Sequence, residues 1–443
     1  MVKIEIQEER EFENDESLES LESLESLEHL ELQCLEVANR AAESAYNMAS
    51  ISGEIKNAWL RKTAELIESR TDYILSENRK DIEAATNLKS AEIDRLSLNR
   101  KRLNDIVIAI REIEKFPEPI GGIIESNIRP NGLEVQKVRV PLGVIFFIYE
   151  SRPNVTTDAA AICIKSGNAV ILRGGKEAIN SNIALAEVLS EAAEKTGLPT
   201  DAVQLVRNTD HKVVGNFLKM NDLINVTIPR GGESLIRRVV KEAKMPVIKH
   251  FAGNCHIYID KTADEKTAID VTVNSKCQRL GVCNAAESLV VHSDISKTIL
   301  PQVLKQLMLN GIEIRGCNRT CEIFAQAIQA KEDDFKTEYH DAVISVKIVD
   351  SIEEAIKHIN FYSDKHTESI ITKDLESARK FAAGIDSSAV MINASTRFND
   401  GGQIGLGAEI GISTDKLHAR GPCGIKELTT YKYIIYGNGQ IRD

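Results

Sequence analysis

The chain has 443 residues, 42% of them hydrophobic and 27% charged, with a formal net charge of -11. That length and apolar content support a large core, divided into roughly two or three domains, and exclude a disordered chain. The acidic balance offers nucleic acid no basic face, no run of about 18 apolar residues supplies a membrane helix, and the acidic start Met1-Val2-Lys3-Ile4-Glu5 fits neither a secretory signal nor an arginine-rich transit peptide, so a cytoplasmic setting is expected.

The first distinctive segment spans 16–30, where Ser-Leu-Glu recurs. A period of about three drifts around a helix of about 3.6 residues per turn, so Leu18, Leu21, Leu24 and Leu27 form a winding stripe of weak amphipathicity. Residues 1–32 are therefore expected to be an acidic, low-complexity, partly helical appendage. Over 32–116 the pattern predicts long helices, with Trp59, Leu60, Leu66 and Ile67 supplying core contacts. After Pro117 the texture changes to strands over 121–126 and 132–140, joined through Pro130-Asn131-Gly132 as a hairpin. There follow a buried strand over 144–149 and a helix over 153–166, with Gly167 filling its C-cap position. The alternation then repeats: strand 169–172, helix 180–196, strand 203–206, helix 211–220, strand 223–228, helix 234–243. Such alternation specifies a Rossmann-type α/β fold, a parallel sheet with helices on both faces.

Ligands of such sheets bind at the carboxyl ends of the strands. One end runs into Arg173-Gly174-Gly175-Lys176, and another into Arg230-Gly231-Gly232-Glu233. Backbone amides at both places can meet phosphate, although a tight connection explains a Gly-Gly pair equally well, and neither loop is a G-x-G-x-x-G fingerprint. Arg173 and Lys176 are cations where a carboxylate would favour the unphosphorylated cofactor, so the loop favours a 2′-phosphate and hence NADP or NADPH.

Cys283 lies in Gly281-Val282-Cys283-Asn284, on a turn ahead of an apolar strand over 289–292, and is the best nucleophile candidate. A small buried thiol is the competing reading. The chain has 8 cysteines, too few for a disulfide scaffold at this length. Cys317 and Cys321 have no second pair of thiols or histidines nearby, so no metal site is expected. Lys276 and Arg279 are close enough in sequence to favour the thiolate or to meet a phosphate, with a solvated surface charge as the plainer role for each.

Several runs resemble the gamma-glutamyl phosphate reductase family, a branch of the aldehyde dehydrogenase superfamily. They are Val140-Pro141-Leu142-Gly143-Val144-Ile145, Tyr149-Glu150-Ser151-Arg152-Pro153-Asn154-Val155-Thr156, Ser166-Gly167-Asn168-Ala169 and the Cys283 turn itself. Asn393-Ala394-Ser395-Thr396-Arg397-Phe398, Gly405-Leu406-Gly407-Ala408-Glu409-Ile410-Gly411 and His418-Ala419-Arg420-Gly421-Pro422 continue the match in order. The resemblance implies an aldehyde dehydrogenase-like fold: an NADP-binding domain over 33–118 and 141–248, an α/β catalytic domain over 249–425, and a small β bridging element over 119–140 and 426–443. It implies NADPH-dependent reduction of L-glutamyl 5-phosphate to L-glutamate 5-semialdehyde through a Cys283 thioester, the second step of proline biosynthesis from glutamate. Asn154 would join the Cys283 amide in holding the oxyanion, and Glu338 would hold the nicotinamide ribose. Asn393, Glu409 and Arg420 would hold the substrate's glutamate end, although Arg420 also suits a structural ion pair. His250 stands about where hydrolytic relatives carry the glutamate that activates water. A bridging sheet with open edges points to a homo-oligomer, and the absence of a kinase domain leaves glutamate 5-kinase to act, and to dock if it does, as a separate chain. An oxidising dehydrogenase for another aldehyde and a silent scaffold are the rival readings.

Overall fold

Residues 9–406 and 408–442 are described by the structure, a computed structural model; the side chains of 9–27, 90 and 91 lie outside that description, and with them the leucine stripe of the Ser-Leu-Glu repeat. Two compact units form. One comprises residues 1–231, 238–247 and 429–443, and the other 232–237 and 248–428.

In the first unit, helices span Glu9–Met48, Gly53–Ser69, Thr71–Ala84, Ser90–Leu96 and Arg100–Lys115. The first runs unbroken across residue 32. Ser52 and Asn99 begin their helices as N-caps, accepting from the amides of Ile55 and Arg102. Trp59, Leu60, Ala64 and Ile67 recur at helical spacing on one fully buried stripe. The Trp59 indole satisfies its own donor on the Leu189 carbonyl at 3.1 Å, as a buried tryptophan requires.

Those helices cover a 4-stranded sheet ordered Val203–Leu205, Ala169–Arg173, Val144–Tyr149, Val226–Arg230, every pair parallel. Val144–Tyr149 is buried along its whole length, the pattern of a central parallel strand covered on both faces. Gly167 follows the helix Asn154–Lys165 at φ 79, a left-handed turn that glycine adopts without strain. The strand expected over 223–228 is displaced to Val226–Arg230. The amides of Leu223 and Ile224 turn back onto the Met220 carbonyl at 3.1 and 2.9 Å, so pairing starts later and carries the strand to the edge of Gly231. The helix expected over 211–220 likewise ends at Phe217. A second, 3-stranded antiparallel sheet places Glu134–Pro141 between Ile123–Ile128 and Thr429–Tyr436. Ile123–Ile128 is exposed at every residue.

In the second unit a 7-stranded sheet runs Ile328–Gln329, Glu313–Gly316, Val343–Val349, Ala286–His292, Cys255–Ile259, Thr367–Ile371, Ala389–Ile392. All of its pairs are parallel. Leu289, Val291, Ile257 and Ile259 from its two central strands enter one apolar cluster with Leu300, Leu304 and Leu307 of the helix Ser293–Leu309. Cys255 is in register with Ala286. The segments that enter these two strands therefore run side by side, and they carry Gly253 and Cys283.

Candidate active site

Cys283 sits on the turn between the helix Glu265–Cys277 and the strand Ala286–His292. Its thiol is free and half-buried. Backbone contact holds the turn in place. A β-carbon on Gly253 would lie 2.0 Å from the Cys283 carbonyl oxygen and 2.8 Å from its Cα, so the absence of a side chain at Gly253 permits the approach. The buried Cys255 thiol donates to the same carbonyl at 3.2 Å, and burial pushes that thiol well above its usual range. It therefore stays a neutral donor.

Asn284 fastens the other side. Its Nδ2 donates to the Asn399 carbonyl at 3.0 Å, and its own carbonyl accepts from Thr396 Oγ1 at 2.7 Å. Ser275 and Ser395 hydroxyls meet at 3.0 Å, and Arg397 Nε donates to Gln278 at 2.8 Å. The loop expected to meet substrate is thus tied to the nucleophile turn along its length.

Lys276 is not the solvated charge that sequence reasoning gives it. It is fully buried, with Nζ 2.6 Å from Oε2 of the equally buried Glu287. Arg279 is exposed. His250 packs edge-on against His366 with ring centroids 5.7 Å apart.

Glu338 lies in the same unit. Its Oε2 is 3.0 Å from Nε2 of His340, and its Oε1 is buried without a partner. Hydrogen bonding to Glu338 raises the His340 pKa. Asn393 adopts φ 54, and its amide bridges the backbone of Thr372, accepting from N and donating to O, each at 2.9 Å. Glu409 accepts from the Gly401 amide at 2.9 Å. Arg420 pairs with Asp386 at 3.0 Å and donates to the Asp386 carbonyl at 3.1 Å, and Asp386 also holds Lys416 at 2.9 Å.

The remaining expected residues lie in the first unit, apart from Gly232, which begins the 232–237 stretch of the second. Arg173 is buried and folded onto backbone, Nη1 reaching the Gly174 carbonyl at 2.9 Å and Nη2 the Thr209 carbonyl at 2.7 Å. Lys176, beside it, is exposed. Asn154 opens its helix and donates to Asp158 Oδ2 at 2.8 Å. Burial pushes the Asp158 carboxyl up to about 6 against the pull of that bond.

Within each unit, taken by itself, there are groups that suit part of a dinucleotide. A β-carbon at Gly174 would strike Nδ2 of the buried Asn182 at 2.2 Å, so the first loop needs bare backbone, whereas one at Gly231 would lie 2.6 Å from the carboxyl carbon of Glu150, a side chain that can turn aside. The unpartnered Glu338 Oε1 is an acceptor suited to a ribose hydroxyl. Among the described residues, no group of three or more His, Cys, Asp or Glu is arranged to hold a metal ion.

Gly253, Cys255, Asn284, Glu287, His366 and Asn399 are the residues sequence reasoning missed. Gly253 and Cys255 share the run His250-Phe251-Ala252-Gly253-Asn254-Cys255-His256 and Asn284 stands beside Cys283, whereas Glu287, His366 and Asn399 had no local signal. Burial holds His366 neutral, its pKa pushed down to about 4, and His358 down to about 3. In the unfolded chain each takes up a proton near 6.5. At these two side chains the unfolded state therefore binds more protons across that window, and their contribution to stability falls as pH drops from about 6.5 towards 4. For His366 the loss approaches about 1.4 kcal/mol per pH unit. Asp158, pushed up to about 6, and Glu287, pushed up to about 7, act in the opposite direction over the same window, so the test is a difference. Between pH 7 and pH 5 the urea midpoint of His358→Phe should fall less, or rise more, than that of wild type, and the same pH dependence in both would refute the assignment.

The model of the Aldehyde dehydrogenase family matches residues 20–311 and 323–428. The chain belongs to that family. Gamma-glutamyl phosphate reductase of Rhodopirellula baltica is 52% identical over 412 residues, covering 93% of this chain and 95% of the relative. That of Caldanaerobacter subterraneus subsp. tengcongensis is 51% identical over 407 residues, covering 91% and 98%. The crystal structure of gamma-glutamyl phosphate reductase from Thermotoga maritima superposes with a TM-score of 0.91 at 44% identity, covering 93% of this chain and all of that one. Within the wider family, the chain belongs to the gamma-glutamyl phosphate reductase branch.

Proposed function

We infer that this chain reduces L-glutamyl 5-phosphate to L-glutamate 5-semialdehyde and phosphate with NADPH, the second step of proline biosynthesis from glutamate. The observation that carries the reading is the half-buried free thiol of Cys283, on a turn held through its own carbonyl, in a chain 52% identical to a reductase of that name.

The thiolate of Cys283 attacks the acyl carbon; the C–S bond forms as the C–O bond to phosphate breaks, and phosphate leaves without needing a proton donor. Bound NADPH supplies the hydride. The thiohemiacetal on Cys283 then collapses, releasing the aldehyde and restoring the thiolate. The backbone amide of Cys283 and the side chain of Asn154 are the donors we assign to the oxyanion. With histidine at 250 in place of a water-activating glutamate, the acyl-enzyme survives to be reduced. Gly174, Gly175, Gly231 and Gly232 line the dinucleotide, Glu338 holds the ribose, and Arg173 shapes the first loop through the backbone contacts it makes. The loop 393–398, Glu409 and Arg420 take the glutamate end, with Asn393 shaping the loop by its grip on Thr372.

Lys176 is the side chain we assign to the 2′-phosphate. Lys176→Ala should raise the KM for NADPH about tenfold, the size of one charge-assisted hydrogen bond, and leave the KM for NADH unchanged. An unaltered KM for NADPH would remove Lys176 from the site.

The enzyme is a homo-oligomer in this reading. Tyr431, Tyr433 and Ile435 are 47%, 58% and 57% exposed on one face of the edge strand Thr429–Tyr436, more apolar area than an edge strand leaves uncovered. Tyr433→Lys with Ile435→Lys should lower the mass measured by light scattering to that of one chain; an unchanged mass would place the interface elsewhere. Among the described residues, no helix is long and apolar enough to cross a membrane, and the reading puts the enzyme in the cytoplasm, where cell fractionation would find it. Glutamate 5-kinase is the partner this reading implies, and its docking is tested by co-sedimentation of the two purified proteins.

A further inference from the structure

The segment 277–286, which carries Cys283, is bounded by two charged side chains that the thioester chemistry does not use. Lys276 lies in the last turn of the helix Glu265–Cys277, and Glu287 in the strand Ala286–His292. Both are 0% exposed, and their charged atoms are 2.6 Å apart. The second carboxylate oxygen of Glu287 accepts from the backbone N of His340 at 3.3 Å. His340 is held at φ 53, a left-handed conformation uncommon for a residue with a side chain, and its ring lies 3.0 Å from Glu338. One buried carboxylate is thereby joined to the helix before the nucleophile, the strand after it, and the loop that presents Glu338.

Stability does not account for such a pair. Desolvating two charges is costly, and apolar side chains of similar volume are often as stable or more so. An ammonium–carboxylate contact does what apolar packing cannot: it fixes distance and direction. Burial raises the Glu287 carboxyl to about 7 against the opposing pull of Lys276 and the His340 amide.

We propose that Lys276 and Glu287 are positioning residues that hold the Cys283 turn in register with the Glu338 loop. The proposal rests on the thioester reading of Cys283. Neither side chain touches the reacting atoms; each acts through the backbone it anchors.

The test uses the full-length chain carrying Lys276→Met with Glu287→Leu, which keeps the volume and removes the direction. The melting temperature should stay within about 4 °C of wild type. In phosphate-dependent NADP reduction, kcat should fall at least about tenfold and the KM for NADP should rise about tenfold, with the KM for glutamate 5-semialdehyde within about twofold. Glu287→Gln, which retains acceptors for Lys276 and His340, should stay within about threefold of wild type in each constant. A folded double variant with wild-type kcat and NADP KM overturns the proposal, as does a Glu287→Gln enzyme impaired as deeply as the double variant. If the double variant does not fold, Lys276→Met decides: lowered kcat with the NADP KM preserved supports the proposal, since Glu287 still holds His340, and unchanged kcat overturns it. Cys283→Ala is assayed alongside, because phosphate-dependent turnover there would defeat the thioester reading itself and not the positioning role.

Discussion

Cys283→Ala should abolish the reaction while leaving the protein folded. Run in reverse from glutamate 5-semialdehyde and NADP, with NADPH followed by its absorbance, phosphate-dependent turnover is expected to fall by at least about 10⁴-fold, as when a covalent nucleophile is removed. The fold should barely register the change. The contacts that brace the turn run through the Cys283 carbonyl, which receives the Cys255 thiol at 3.2 Å, and through Asn284 at 3.0 Å from the Asn399 carbonyl. Truncating a half-buried thiol leaves both in place, so the unfolding free energy from urea titration should change by no more than about 1 kcal/mol. Phosphate-dependent turnover surviving in the alanine variant would sink the thioester mechanism. Wild-type turnover that ignores phosphate would mean that water resolves the thioester, and the enzyme would be an oxidising dehydrogenase.

Gly253→Ala should be the most damaging single methyl in the second unit. Its new β-carbon would stand 2.0 Å from the Cys283 carbonyl oxygen and 2.8 Å from both the carbonyl carbon and Cα. These are backbone atoms, which cannot rotate aside, so one of two adjacent strand entries must move. Overpacking of this kind costs about 1–3 kcal/mol. The displaced atoms belong to the nucleophile's own residue, so activity should fall by about 10²-fold, the scale of an ångström of misplacement. Chemical denaturation and kcat/KM measured on one preparation separate the two effects. A variant with wild-type kcat/KM would show that the Cys283 carbonyl does not need the close approach.

The fold class and the candidate nucleophile were legible because their signals are local. The alternation of apolar strands with helices from 144 onward calls for a parallel sheet by itself, and Gly167 at φ 79 does what a glycine after a helix must. Cys283 was legible from its turn and from the order of motifs on either side of it. Where strands end was less so. The strand expected from 223 begins at Val226, since the fate of Leu223 and Ile224 depends on whether the Met220 carbonyl captures their amides.

Contacts between distant segments decided the rest. Lys276 reads as a surface charge in a polar stretch, and only the neighbouring strand, which brings Glu287 to 2.6 Å, makes it a buried one. Arg173 reads as a free cation beside a glycine loop until Thr209, from another connection, takes its guanidinium at 2.7 Å. Gly253 reads as an ordinary loop glycine until parallel pairing sets Cys255 beside Ala286 and puts the Cys283 carbonyl where its side chain would be. Sequence by itself determined which residue types alternate, which turn displays a thiol and which family the motifs belong to, because backbone propensity and side-chain chemistry act over a few neighbouring residues. Tertiary structure alone decided which charges are buried, which are paired and which backbones touch, because each of those depends on a partner more than ten residues away that only the folded chain brings into contact.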